Sequence, residues 1–167
     1  MEFNVKLYDR VVRRIKNNPR TFVMDEPIAD YSEHKKKKKA ISGDAGVHFV
    51  PSCGTVGCFA GWTDILNRGK ITKGNIEETL HSPWKTFDLG SFEGISVRAQ
   101  KALGLTRNEA DELFYHYRWP EPFRTQYVSA KRKDQQVRAA LAYFADFRKR
   151  KLEAEAKKEE DAVLVGC

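Results

Sequence analysis

Long apolar runs are missing from this 167-residue chain. No stretch approaches the ~18 consecutive apolar residues that mark a membrane-spanning helix, so no membrane partner is expected. Cysteine is scarce. Its three copies are an odd number, which argues against the disulfide framework of a small secreted domain and leaves reduced thiols as the default. The residues from Met1 to Lys6 carry no apolar signal core behind a basic start, and a cytoplasmic location is the expectation. Several catalytic signatures are absent too: the phosphate-binding GxxxxGK[ST] loop, the GxGxxG fingerprint and the HExxH helix. A zinc deaminase requires His-x-Glu ahead of Pro-Cys. Here Pro51 is followed by Ser52, and Glu33-His34 runs in the wrong order. No cofactor is expected.

Charge, by contrast, is abundant and unevenly placed. The chain carries a formal net charge of +7. Residues 1–50 hold 11 Lys/Arg against 7 Asp/Glu, residues 51–128 hold 9 against 9, and residues 129–167 hold 10 against 7. A neutral middle is thus flanked by two basic ends, a distribution suited to phosphates or an acidic partner, and equally to a solubilising surface. The length fits one domain with a core of its own.

The patterning predicts a mostly α-helical single domain over residues 1–150, with five or six helices and a basic surface loop or hairpin over 20–50, followed by a charged helix extension and tail over 151–167. Val5, Tyr8, Val11, Val12 and Ile15 follow helical periodicity over 4–17, with Lys6, Arg10, Arg13, Arg14 and Lys16 on the other faces. Asn17-Asn18-Pro19 ends that helix. Val47 to Val50 fits a short strand. A second helix is expected over 55–67, capped by Ser52 or Thr55 and stopped at Asn67-Arg68-Gly69. Short helices are expected over 73–81 and 95–103, with Gly90 and Gly94 in the loop between them. Thr106 and Glu109 form a capping box that opens a further helix to about Tyr117, and the Trp119 to Phe123 segment breaks it. The last helix starts near Ser129, with Val137, Leu141, Phe144 and Phe147 as its core stripe. Beyond Leu152 no apolar stripe continues, and this end is expected in solvent.

Three constellations bear on function. Lys35, Lys36, Lys37, Lys38 and Lys39 are five adjacent ammonium groups. Such a run is relieved by phosphates, which release counterions on binding. Lys131, Arg132 and Lys133, with Arg148 and Arg150, extend the candidate basic surface. The helices on either side of Gly104-Leu105-Thr106 resemble a helix-turn-helix, but the second would present Glu109, Asp111 and Glu112 to DNA, which repel phosphate and make no bidentate contact with guanine. The third is Cys53-Gly54-Thr55-Val56-Gly57-Cys58-Phe59-Ala60-Gly61-Trp62. With His48 and His81 its cysteines suggest zinc, but four residues between them do not make the usual knuckle. A thiol at a helix start with a base such as His81 or His116 suggests a nucleophile, with Cys58 and His116 as the pair of interest and Asn108 or Asp111 to orient the base. The plainer reading is a close helix crossing at Gly57 and Gly61 around buried thiols.

That segment, together with Leu103 to Ala110, Leu113-Phe114, and Trp119-Pro120 with Phe123, resembles a group of small bacterial and phage proteins with a CGTxxCxAGW-like stretch, over roughly residues 50–145. The group has no established activity, so the resemblance assigns no catalytic residue. The lysine run and the charged helix extension are additional to its pattern. The expected function is a non-catalytic binding protein, phage-encoded if the resemblance holds, that engages nucleic acid or a nucleoprotein complex through its basic ends. The alternative is a small enzyme or ligand binder centred on Cys58.

Overall fold

The first helix, α1 (Val5–Asn17), begins where the side chain of Asn4 accepts a hydrogen bond from the Leu7 amide at 3.1 Å, a cap that satisfies one of the exposed N–H groups of the first turn. Its apolar stripe buries Leu7, Tyr8, Val11 and Ile15. A 3₁₀ turn (Pro19–Thr21) follows. The computed structural model describes residues 2–24, 29–30, 41–43, 46–48, 55–56, 58–69 and 90–165. Within these stand four short strands: β1 (Ala29–Asp30), β2 (Ile41–Gly43), β3 (Gly46–His48) and β4 (Thr55–Val56). β2 and β3 form an antiparallel hairpin with Ser42 opposite Val47, and β1 pairs antiparallel with β4.

The second helix, α2 (Phe59–Asn67), starts later than the 55–67 reading. Thr55 and Val56 are paired in β4 instead, as suits two β-branched residues between glycines. Cys58, extended at ψ −179°, occupies the cap position in place of Thr55. Every residue from Phe59 to Leu66 is buried, so this helix is enclosed on all sides rather than amphipathic. It contains an acid, Asp64, whose carboxylate accepts from the Nε and Nη2 of Arg98, each at 3.0 Å. A lone buried carboxylate would cost several kcal/mol; this pairing offsets that. At the far end Gly69, at φ +109°, closes the helix.

The third helix, α3 (Gly90–Leu103), takes in Gly90 and Gly94, which had read as loop. A glycine costs a helix only ~1 kcal/mol, and packing overrides that. α3 lies against α2. The turn into α4 (Arg107–Phe114) has Gly104 at φ +69°, and the capping box is formed: the Thr106 amide donates to Glu109 Oε2 at 2.8 Å, and the Glu109 amide to Thr106 Oγ1 at 3.4 Å. α4 ends at Phe114, earlier than expected, and a 3₁₀ turn (His116–Arg118) leads to Trp119. The proline-rich segment does more than break a helix. Pro122 stands at the cap of α5 (Phe123–Ser129), a helix the sequence reading lacked.

The last helix, α6 (Lys133–Val165), begins four residues after the expected start and runs without interruption past residue 150. Val137, Phe144 and Phe147 are buried and Leu141 partly so, joined by Ala140 and Tyr143. α6 runs antiparallel to α1: Phe3 meets Glu155, Tyr8 meets Phe144, Asp9 meets Arg148 and Phe22 meets Lys133. Aromatic rings fill the space between them. Phe59 sits edge-on to Phe144 at 4.6 Å, and Trp119 stacks on Tyr143 at 4.4 Å. The protein is therefore a mostly α-helical domain, with six α-helices among the described residues.

Candidate nucleic-acid interface

The basic residues singled out by the sequence separate into groups. Lys35 to Lys39 lie outside the described residues. Lys131 and Arg132 are exposed in the turn ahead of α6, where Arg132 pairs with Asp134 at 3.0 Å. Lys133 is half-buried, its ammonium 5.8 Å from the Phe22 ring. Arg148 and Arg150 stand farther along α6, with Lys133 and Arg148 about 22 Å apart by helix rise. Both pair with acids of the same chain at the surface. Arg148 makes a bidentate pair with Asp9 of α1 at 2.8 and 3.1 Å, which holds the guanidinium above its ordinary range. Arg150 bonds Glu112 of α4 at 2.7 Å and Asp146 at 2.8 Å. Burial opposes its charge, yet these two carboxylates outweigh burial and raise it. Arg148 and Arg150 thus tie α6 to α1 and α4.

Lys151 extends this stapling beyond the 150/151 boundary. Its side chain is only 7% exposed and donates to Glu109 at 2.8 Å, with Glu155 at 3.7 Å. Glu155 also accepts the Phe3 amide at 3.0 Å. Burial pushes the Glu109 carboxyl up, but hydrogen bonds from Lys151 and Thr106 outweigh it and hold the group below the ordinary range. From Ala156 to Ala162 the helix is exposed.

These pairs also dispose of the helix-turn-helix geometry. Two of the acids that α4 would offer to DNA, Glu109 and Glu112, are bonded to α6. The turn itself is covered by the N-terminal segment, where the Asn4 amide donates to the Leu103 carbonyl at 2.9 Å. α4 buries Ala110, Leu113 and Phe114 and is tied to α6 through its acids.

Cys58 is buried at the cap of α2, 4% exposed, and its side chain makes no capping hydrogen bond. It lies close enough to Tyr115 to affect that phenol, which is raised first by burial and further by neighbours including Cys58. His116, in the 3₁₀ turn, is half-buried with its ring 5.3 Å from that of Tyr127 and 6.1 Å from that of Tyr117. Cys53 and His81 lie outside the described residues, as do Gly57 and the expected helix over 73–81; Gly61 is buried in α2. Among the described residues, no group of three or more His, Cys, Asp or Glu is arranged to hold a metal ion. Among them, too, no helix is long and apolar enough to cross a membrane.

The sequence reading passed over one cationic surface. Lys6, Arg10, Arg13 and Lys16 are exposed along α1, and Arg20 is exposed in the turn after it. The signal lies in the helical spacing of those residues, opposite the apolar stripe, and is weaker per residue than the five adjacent lysines Lys35 to Lys39. The chain matches no protein-family model, and no curated protein or solved structure matches it.

Proposed function

We propose that this is a non-catalytic binding protein that contacts nucleic acid, or a nucleoprotein complex, through its basic ends. One observation carries the reading: among the described residues, internal pairing occupies seven acids while exposed cations along α1 pair with no carboxylate. Asp9, Asp64, Glu109, Glu112, Glu121, Asp134 and Asp146 each bond a basic residue of the same chain. Among the described residues, Lys6, Arg13, Lys16, Arg20 and Lys131 are exposed and engage no carboxylate. Lys35 to Lys39 add five charges to the same N-terminal part of the sequence. A polyanion complements such a surface, and release of its counterions supplies affinity. The resemblance of Cys53 to Trp62 to a stretch of small phage and bacterial proteins is in keeping with an accessory role for a phage-encoded protein.

The competing reading, an enzyme or ligand binder using Cys58 with His116, has less behind it, because the thiol is buried. Fluorescence anisotropy with a labelled mixed-sequence DNA duplex tests the proposal. Binding that weakens steeply with added salt is the expected outcome. Absence of binding even at low ionic strength rules out direct contact.

A further inference from the structure

We infer that the solvent face of α1 is the surface that grips phosphate: Lys6, Arg10, Arg13 and Lys16, continued by Arg20, follow a nucleic-acid backbone without reading its bases. This rests on the binding reading above and gives it a location. At about 100° per residue the four helical side chains fall within an arc of about 120°, and at 1.5 Å per residue they span about 15 Å of axis. Their direction is fixed, because Leu7, Tyr8, Val11 and Ile15 on the opposite side are locked in the core. The stripe is thereby pre-organised, and little ordering of backbone opposes binding.

Among the described residues, no carboxylate pairs with Lys6, Arg10, Arg13, Lys16 or Arg20. The one acid on α1, Asp9, is held by Arg148. Arg10 donates to the Gly69 carbonyl at 3.3 Å, a neutral partner that leaves its charge outstanding. Arg14, the remaining cation of the helix, is turned away and covers the Trp62 ring at 4.7 Å. The antiparallel run of α6 sets Lys133 beside Phe22, so exposed Lys131 and Arg132 stand near the Arg20 end of the stripe. An anionic bilayer is the less suitable partner. Amphipathic helices hold membranes by an apolar face, and the apolar face of α1 is used by the core.

The test compares salt dependence. About four phosphate contacts to duplex DNA give a slope of log K against log salt of about −3.6. For the wild-type protein this is a loss of affinity of roughly two orders of magnitude between about 50 and 200 mM salt. The variant Lys6→Gln/Arg10→Gln/Arg13→Gln/Lys16→Gln is expected to melt like the wild type, to bind at least about tenfold more weakly at low salt, and to lose about one unit of slope per charge removed. Should it misfold, Lys6→Gln/Arg13→Gln alone is expected to lose about two units. A folded variant with wild-type affinity and slope overturns the assignment to α1; if a Lys35 to Lys39 glutamine variant then loses binding, the binding reading survives without it. A wild-type protein that binds no nucleic acid overturns both. Binding to phosphatidylserine-containing vesicles in place of nucleic acid does the same.

Discussion

At Gly104 a single methyl group is enough to disturb the fold. A Cβ there would lie 2.0 Å from the Glu2 carbonyl oxygen, and φ +69° disfavours any side chain. Gly104→Ala is therefore expected to destabilise by about 3 kcal/mol, from left-handed backbone strain plus overpacking; denaturant unfolding measures it, and a loss below about 1 kcal/mol would contradict this account of the turn. Glu109 provides a pH-sensitive counterpart. Its carboxyl is held below its ordinary value of 4.5 in the folded chain. The stability it contributes is thus complete above that value and is lost as pH falls through the depressed one. Glu109→Gln leaves the buried Lys151 with Glu155 alone and is expected to cost about 2 kcal/mol at neutral pH. The urea midpoints of variant and wild type should draw together in acid. A gap that stays constant with pH would show that ionisation of Glu109 is not what holds Lys151.

Among the elements, α2 and α3 depend on one buried ion pair, whereas α1 and α6 share a more exposed one. Asp64→Asn leaves Arg98 facing a neutral amide and is expected to cost about 3 kcal/mol. Arg148→Gln is expected to cost less than about 1 kcal/mol. Measuring both by chemical denaturation checks the contrast. Element placement was readable where a local signal was strong. The apolar rhythm of Tyr8, Val11 and Ile15, the Thr106–Glu109 box and the stripe at Val137, Phe144 and Phe147 announced α1, α4 and α6. α5 was not readable, because Pro120 and Pro122 signal both an end and a beginning, and seven residues show too little periodicity. The start of α2 was misjudged because Thr55 suits either a cap or a strand, and its partner Asp30 is remote in sequence.

For the molecule as a whole, the enclosed core predicts chemical silence until unfolding. Cys58 should resist alkylation in the native state and react at the rate of global opening; rapid labelling near neutral pH would instead restore the nucleophile reading. Tyr8 and Tyr143 are buried, and burial holds both phenols above their ordinary value of 10.0. An unfolded chain releases these protons near that value, so stability is expected to fall as pH rises beyond it. Ultraviolet titration should find them silent until the fold gives way. The candidate interface was only partly legible from the sequence. Counting cations located basic segments, but which of them are charge-compensated depends on acids far along the chain: Asp9 and Glu112 pair with Arg148 and Arg150, while among the described residues no carboxylate pairs with Lys6 or Arg13. The antiparallel match of α1 with α6 also governs the order of events during synthesis. Tyr8 finds its acceptor 136 residues later, at Phe144, and Phe3 finds Glu155 152 residues later. α1 is therefore synthesised long before α6 can roof it, and in the interval its bare apolar stripe needs a chaperone's shelter.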